Sequence, residues 1–150
     1  MFAFEGRVSD KLAVVGVIQP QAITAGAAGV LTAAIDMKDW ERLICVAQSG
    51  TLGTSGTLDI AAQASATSGG TYAALTGKSA TQLVKATDDN KIVVIEVTQD
   101  DVAKVEKRYV KINMVAGTAN ATAGCVVLGV PASYKKASDN DLAAVAQIVA

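Results

Sequence analysis

Histidine is absent from this 150-residue chain, and aromatic side chains are scarce: two Phe, three Tyr and one Trp. Histidine supplies most acid-base chemistry near neutral pH and the commonest metal ligand, so its absence excludes catalytic triads and histidine-based metal sites. Six rings scattered along the sequence make a poor stacking platform for sugars. No basic excess is present either, since 13 Lys and Arg meet 14 Asp and Glu. A net charge of -1 lacks the basic patch that displaces counterions from a nucleic acid. The longest apolar run near the start, Leu12 to Ile18, falls far short of the ~20 residues that span a bilayer. It follows no basic n-region and no cleavage site, so residence in the cytoplasm where it is made is the expectation.

Only two cysteines occur, Cys45 and Cys125, each inside an apolar run. Buried free thiols are expected there rather than a bridge between two sheets. The Asn120-Ala121-Thr122 sequon then falls in a Thr/Ala-rich turn.

What the chain does have is a series of short apolar stretches broken by small residues. From Arg108 to Val115 the side chains alternate, with Val110, Ile112 and Met114 on one side and Tyr109, Lys111 and Asn113 on the other. That period of two marks a half-buried strand. Thr57 to Gln63 repeats it with Leu58, Ile60 and Ala62 inward. Further strands are expected at 30–36, 42–48, 82–86, 91–97 and 124–130, with 12–18 as another. Between them lie turn residues: Ser49-Gly50, Gly53 to Gly56, Ser68-Gly69-Gly70, Asp88-Asp89-Asn90 and Gly117 to Asn120. Seven or eight short strands at this spacing predict an all-β fold, an antiparallel β-sandwich of immunoglobulin-like or jelly-roll-like type. One core suffices for a chain of this length.

Three segments follow: 1–21 as an extended N-terminal arm or first strand, 22–134 as the sandwich body, and 135–150 as a tail. In the tail Asp139 or Asn140 can cap a short helix on which Leu142, Val145 and Ile148 recur at roughly helical spacing. Gln99 to Val105 has room for one helical turn. Trp40, entering a strand, is expected to plug one end of the core.

Residues with chemical potential stay isolated. Thr76-Gly77-Lys78-Ser79 looks like the end of a phosphate loop, but Tyr72 stands where that motif needs glycine. A polar turn is the expectation. Asp88-Asp89 and Asp100-Asp101 sit at strand ends, as turn and cap residues rather than as a calcium loop. No catalytic centre, metal or cofactor is therefore expected.

The passage from Ile35 through Asp39-Trp40-Glu41-Arg42 to Ile44, the Gly50–Gly56 turn and Thr57-Leu58-Asp59-Ile60 resemble small virion proteins of tailed bacteriophages. Thr87-Asp88-Asp89-Asn90-Lys91, Lys107 to Ile112, and Ala123 to Gly129 closing with Tyr134 follow the same order. The resemblance covers about residues 30–134. It implies a non-enzymatic capsid decoration or cement protein on the virion exterior, with the major capsid protein as partner and a homo-oligomer such as a trimer as its state. A tail, neck or fibre component, or a carbohydrate-binding module, are the alternatives. Candidate assembly contacts are Phe2, Phe4, Tyr109, Leu142, Val145 and Ile148.

Overall fold

A computed structural model describes residues 8–132 and 144–149. A 3-10 turn at Val8–Asp10 leads into ten strands: β1 (Ala13–Ile23), β2 (Val30–Leu31), β3 (Ile35–Asp36), β4 (Trp40–Leu52), β5 (Thr57–Ser65), β6 (Ala73–Ser79), β7 (Leu83–Val84), β8 (Ile92–Thr98), β9 (Tyr109–Gly117) and β10 (Ala121–Pro131). Among the described residues one α-helix, α1 (Gln99–Ala103), follows β8. The strands form two antiparallel sheets. The first runs β1-β10-β4-β8, and the second runs β2-β9-β5-β6, with β3 also on β9 and β7 also on β5. This is an all-β sandwich.

The core is built by alternation. Leu58, Ile60, Ala62 and Ala64 of β5 and Val110, Ile112, Met114 and Ala116 of β9 are all at most 1% exposed. Facing them are Leu43, Cys45 and Ala47 of β4, Ile95 and Val97 of β8, and Cys125 and Val127 of β10. Cys45 stands opposite Val127, and Cys125 opposite Ala47. The two thiols are free and lie diagonally on neighbouring strands of one sheet. Hydrogen bonding to Cys125 together with burial pushes the Cys45 thiol up.

Trp40 does plug the core, at 5% exposed. Gly129 makes room for its ring, since a Cβ at that position would lie 2.6 Å from Trp40 Cε3. Pro131 pairs with Trp40 and ends β10.

Several sequence expectations need correction. The stretch 30–36 is two short pairings with β9, not one strand. Between them the buried Thr32 exchanges bonds with Ile112, accepting its N–H through Oγ1 at 3.1 Å, and the regular ladder lapses there. The strand at 82–86 shrinks to Leu83–Val84 because Asp88 Oδ2 accepts the Val84 N–H at 2.9 Å and turns the chain. Thr76 to Ser79, expected as a turn, belongs to β6. Gly77 adopts φ +75, and the pairing of β5 with β6 shifts register between Ala61 and Gln63, so the irregularity read as a turn lies within the strand. Asn113, expected outward, is only 9% exposed. Leu31 pairs with it and the backbone at Gly29 closes over it.

The C-terminal helix expected over 139–149 is not present in its described part, because residues 144–149 hold no helix. Ile148 and Val149 are exposed there, and so short a segment without a buried face cannot offset the cost of helix nucleation. Residues 139–143 lie outside the described residues.

Candidate assembly face

The two sheets differ in what they show to solvent. On the second sheet the outward side chains are mainly polar, including Asp59, Gln63 and Lys111. Tyr109 lies on this face, half-buried, with the Arg108 guanidinium 5.1 Å from its ring centre. Lys111 sits 4.5 Å over the ring of Tyr72. Arg108 also grips Asp36, through Nε to Oδ1 at 2.8 Å and Nη2 to Oδ2 at 2.5 Å. These hydrogen bonds hold the Asp36 carboxyl below its usual range.

The first sheet is apolar at the centre of its outer face as well as inside. Val17 pairs with Val126, Val126 with Val46, and Val46 with Val94. One valine from each strand therefore forms a continuous row across the sheet. Leu128 pairs with Ile44 beside that row, and Ile92 stands at its β8 end. Val94 is 62% exposed, Ile92 61% and Val126 40%. Arg42 closes one end with Glu41 and Glu96 at 3.7 and 3.6 Å, and Gln48 borders the other. Surface apolar residues are ordinary when scattered, but a connected apolar patch with a polar rim marks an interaction surface.

A cleft of about 270 Å³ opens where the edges β6 and β8 approach, lined by residues 77–80 and 93–96. It falls just below the ~300–1,000 Å³ range of small-molecule sites. At one side Lys78 Nζ meets Asp101 Oδ2 at 3.0 Å and ties β6 to α1. Asp101 also closes the capping box of α1, accepting from the Thr98 N–H at 2.8 Å while its own N–H donates to Thr98 Oγ1. Burial raises the Asp101 pKa, but the Thr98 and Lys78 contacts outweigh it and lower the net value.

In the other acidic pair both carboxylates are committed to structure. Asp88 accepts from Val84 N–H and Thr87 Oγ1, whereas Asp89 accepts from Leu52 N–H at 3.0 Å and pairs with Lys85. Among the described residues no group of three or more Cys, Asp and Glu is placed to hold a metal ion.

The three depressed carboxyls, Asp36, Asp101 and Asp89, the last held low by Lys85 and the Leu52 N–H, make stability depend on acidity. A lowered folded pKa adds stability above the unfolded value of about 3.9 and loses it as the pH falls through the folded value. The melting temperature should therefore drop steeply below about pH 4. Asp101→Asn should lower it at pH 7 and flatten that acid limb, and a variant curve parallel to the parent's would disprove the assignment.

Of the six contacts expected from sequence, Tyr109 lies on the face opposite the valine row. Val145 is half-buried and Ile148 exposed, both in the described segment 144–149. Phe2, Phe4 and Leu142 lie outside the described residues. The valine row is not among the sequence-expected contacts, although the sequence carries a signal for it. Leu43 to Ala47, Ile92 to Ile95 and Cys125 to Leu128 are apolar without alternation, the pattern of strands that bury both faces.

No family model and no curated protein matches this chain. Among solved structures, it is similar to a chain in the structure of infectious bursal disease virus Gx strain, at 13% identity and a TM-score of 0.46. That match covers 85% of this chain and 34% of the other, so the chain spans about a third of its length. A second similarity is to a chain of Bacillus endospore appendages, described as a novel family of disulfide-linked pili, at 15% identity and a TM-score of 0.39. It covers 88% of this chain and all of that one. At such values the fold assignment rests on the sheet topology itself.

Proposed function

We propose that this chain is a structural protein of a virion, a subunit that decorates and stabilises the exterior of a tailed-phage head. The observation that carries the reading is the row Val17, Val126, Val46 and Val94, which leaves the centre of one sheet face apolar and available for burial. Such a face suits a subunit that spends its working life against another protein. The resemblance of residues 30–134 to phage virion proteins supplies the partner, the major capsid protein. On this reading the chain is made in the host cytoplasm and acts without catalysis or cofactor, as part of an oligomer.

Cosedimentation with phage heads tests it. Placing Asp at both Val46 and Val126 sets two charges at the centre of the buried patch and should weaken attachment more than tenfold, with the sandwich still folded. Undiminished attachment would remove the valine face from the interface. Electron microscopy of the native particle adds the location: density on the shell supports decoration, whereas density confined to the neck, tail or fibres rejects it.

A further inference from the structure

Among the described residues the two sheets have four edges, and three of them are blunted. Strand β1 carries Pro20 and two register shifts. Strand β6 carries its own shift and the left-handed Gly77. The remaining edge of the second sheet is made of β2 and β3, two residues each. Interruptions of this kind are how proteins keep edges from pairing with other chains. Strand β8 has none of them. It pairs with β4 through seven consecutive residues without a shift, from Gln48↔Ile92 to Arg42↔Thr98. Within Ile92–Thr98 there is no proline and no lysine, and Glu96 is the sole charge.

The direction of its free backbone groups follows from one end of the ladder. Ser49 donates its N–H to the Lys91 carbonyl at 2.9 Å, and the Lys91 N–H donates to Ser49 Oγ at 2.9 Å. Lys91 therefore faces β4. By antiparallel alternation Val93, Ile95 and Val97 face it too, and Ile92, Val94 and Glu96 turn their N–H and C=O groups to the open edge. The cleft toward β6 leaves space beside that edge.

We infer that the β8 edge accepts an extended strand from a second copy of this chain, supplied by Met1-Phe2-Ala3-Phe4 and the residues up to Arg7. Taken up as a strand, such a segment would carry Phe2 and Phe4 on one side, toward the cleft lined by Val93, Ile95 and Ala80. Placement also favours another copy as donor. Ala13 at the start of β1 is level with Gly129, Leu43 and Val97, but on the far edge of the sheet, about 14 Å away at three strand spacings. Setting two copies side by side in the sheet direction brings the chain entering β1 of one next to β8 of the other. The contact is head-to-tail, so its repetition closes a ring or extends a row.

The inference deepens the assembly reading by naming the contact between copies, and its test contains no shell, so failure of head binding leaves it standing. Two variants separate donor from acceptor. Removing Met1–Arg7 leaves an acceptor, and Val94→Pro leaves a donor, because proline deletes an N–H that points away from β4. By light-scattering mass, the full chain should exceed its 15.2 kDa monomer. Each variant alone should be monomeric with an unchanged circular dichroism spectrum, and an equimolar mixture should double in mass. If Val94→Pro unfolds, Val94→Lys combined with Ile92→Lys takes its place. A monomeric full chain, variants that keep the full chain's mass, or a mixture that stays monomeric would each overturn it.

Discussion

Trp40→Ala should lower the free energy of unfolding by about 3–5 kcal/mol, the range for truncating a large buried ring. Trp40 is 5% exposed at the end of the core where β4 begins, and Gly129 is shaped around it. Gly129→Ala alone should cost about 1–3 kcal/mol, because the new methyl lands inside the ring's van der Waals envelope and the surrounding core has little slack. Once the ring is gone the methyl has space. The double variant should thus lose clearly less than the sum of the two single losses. Urea midpoints at constant m-value measure all three. Strict additivity would show that Gly129 does not accommodate Trp40.

Ile112→Ala should cost a further large amount, about 2–5 kcal/mol. Ile112 is 1% exposed at the middle of β9, paired with Ala62 of β5, and its backbone exchanges bonds with Thr32. No small neighbour can collapse into the space, since β5 and β9 are held by nine consecutive pairs from Thr57↔Gly117 to Ser65↔Tyr109. Val94→Ala supplies the contrast. It truncates a valine that is 62% exposed, and at concentrations where the chain is monomeric it should change stability by no more than about 0.5 kcal/mol. Comparable losses at the two positions would mean that the inner and outer faces of the sheets are misassigned.

Much of the sandwich was legible in the sequence, because alternation is a strong signal where one face is wet. Val110, Ile112 and Met114, with Leu58, Ile60 and Ala62, are buried as their period of two predicts. The short edge elements were harder. Thr32 and Asp88 interrupt pairing through side-chain bonds to distant or turn backbone, and β6 is built on Gly77, whose local chemistry reads as a turn. A sequence window contains the polar residue but not the partner that captures it. Least legible was the candidate site. Scattered aromatics point toward Tyr109 and the chain ends, whereas the exposed apolar surface is made mainly of valines, with Ile92 beside them. Valine is the commonest kind of strand residue, and only the cross-strand register shows that one from each of four strands falls in a single row.

Cys45 and Cys125 give the interior a chemical clock. Both sulfurs face inward from central strands, 1% and 4% exposed, and the push on the Cys45 pKa keeps its thiolate scarce while the fold is closed. A thiol reagent can therefore reach them only when β4 and β10 part, and those two strands hold the first sheet together. The labelling rate in plain buffer then reports how often the sandwich opens, with the reagent's intrinsic rate as reference. Because the closed core has no room for an adduct on either sulfur, the first label keeps the strands apart and exposes the second thiol, so chains should pass from unlabelled to doubly labelled with little singly labelled material between.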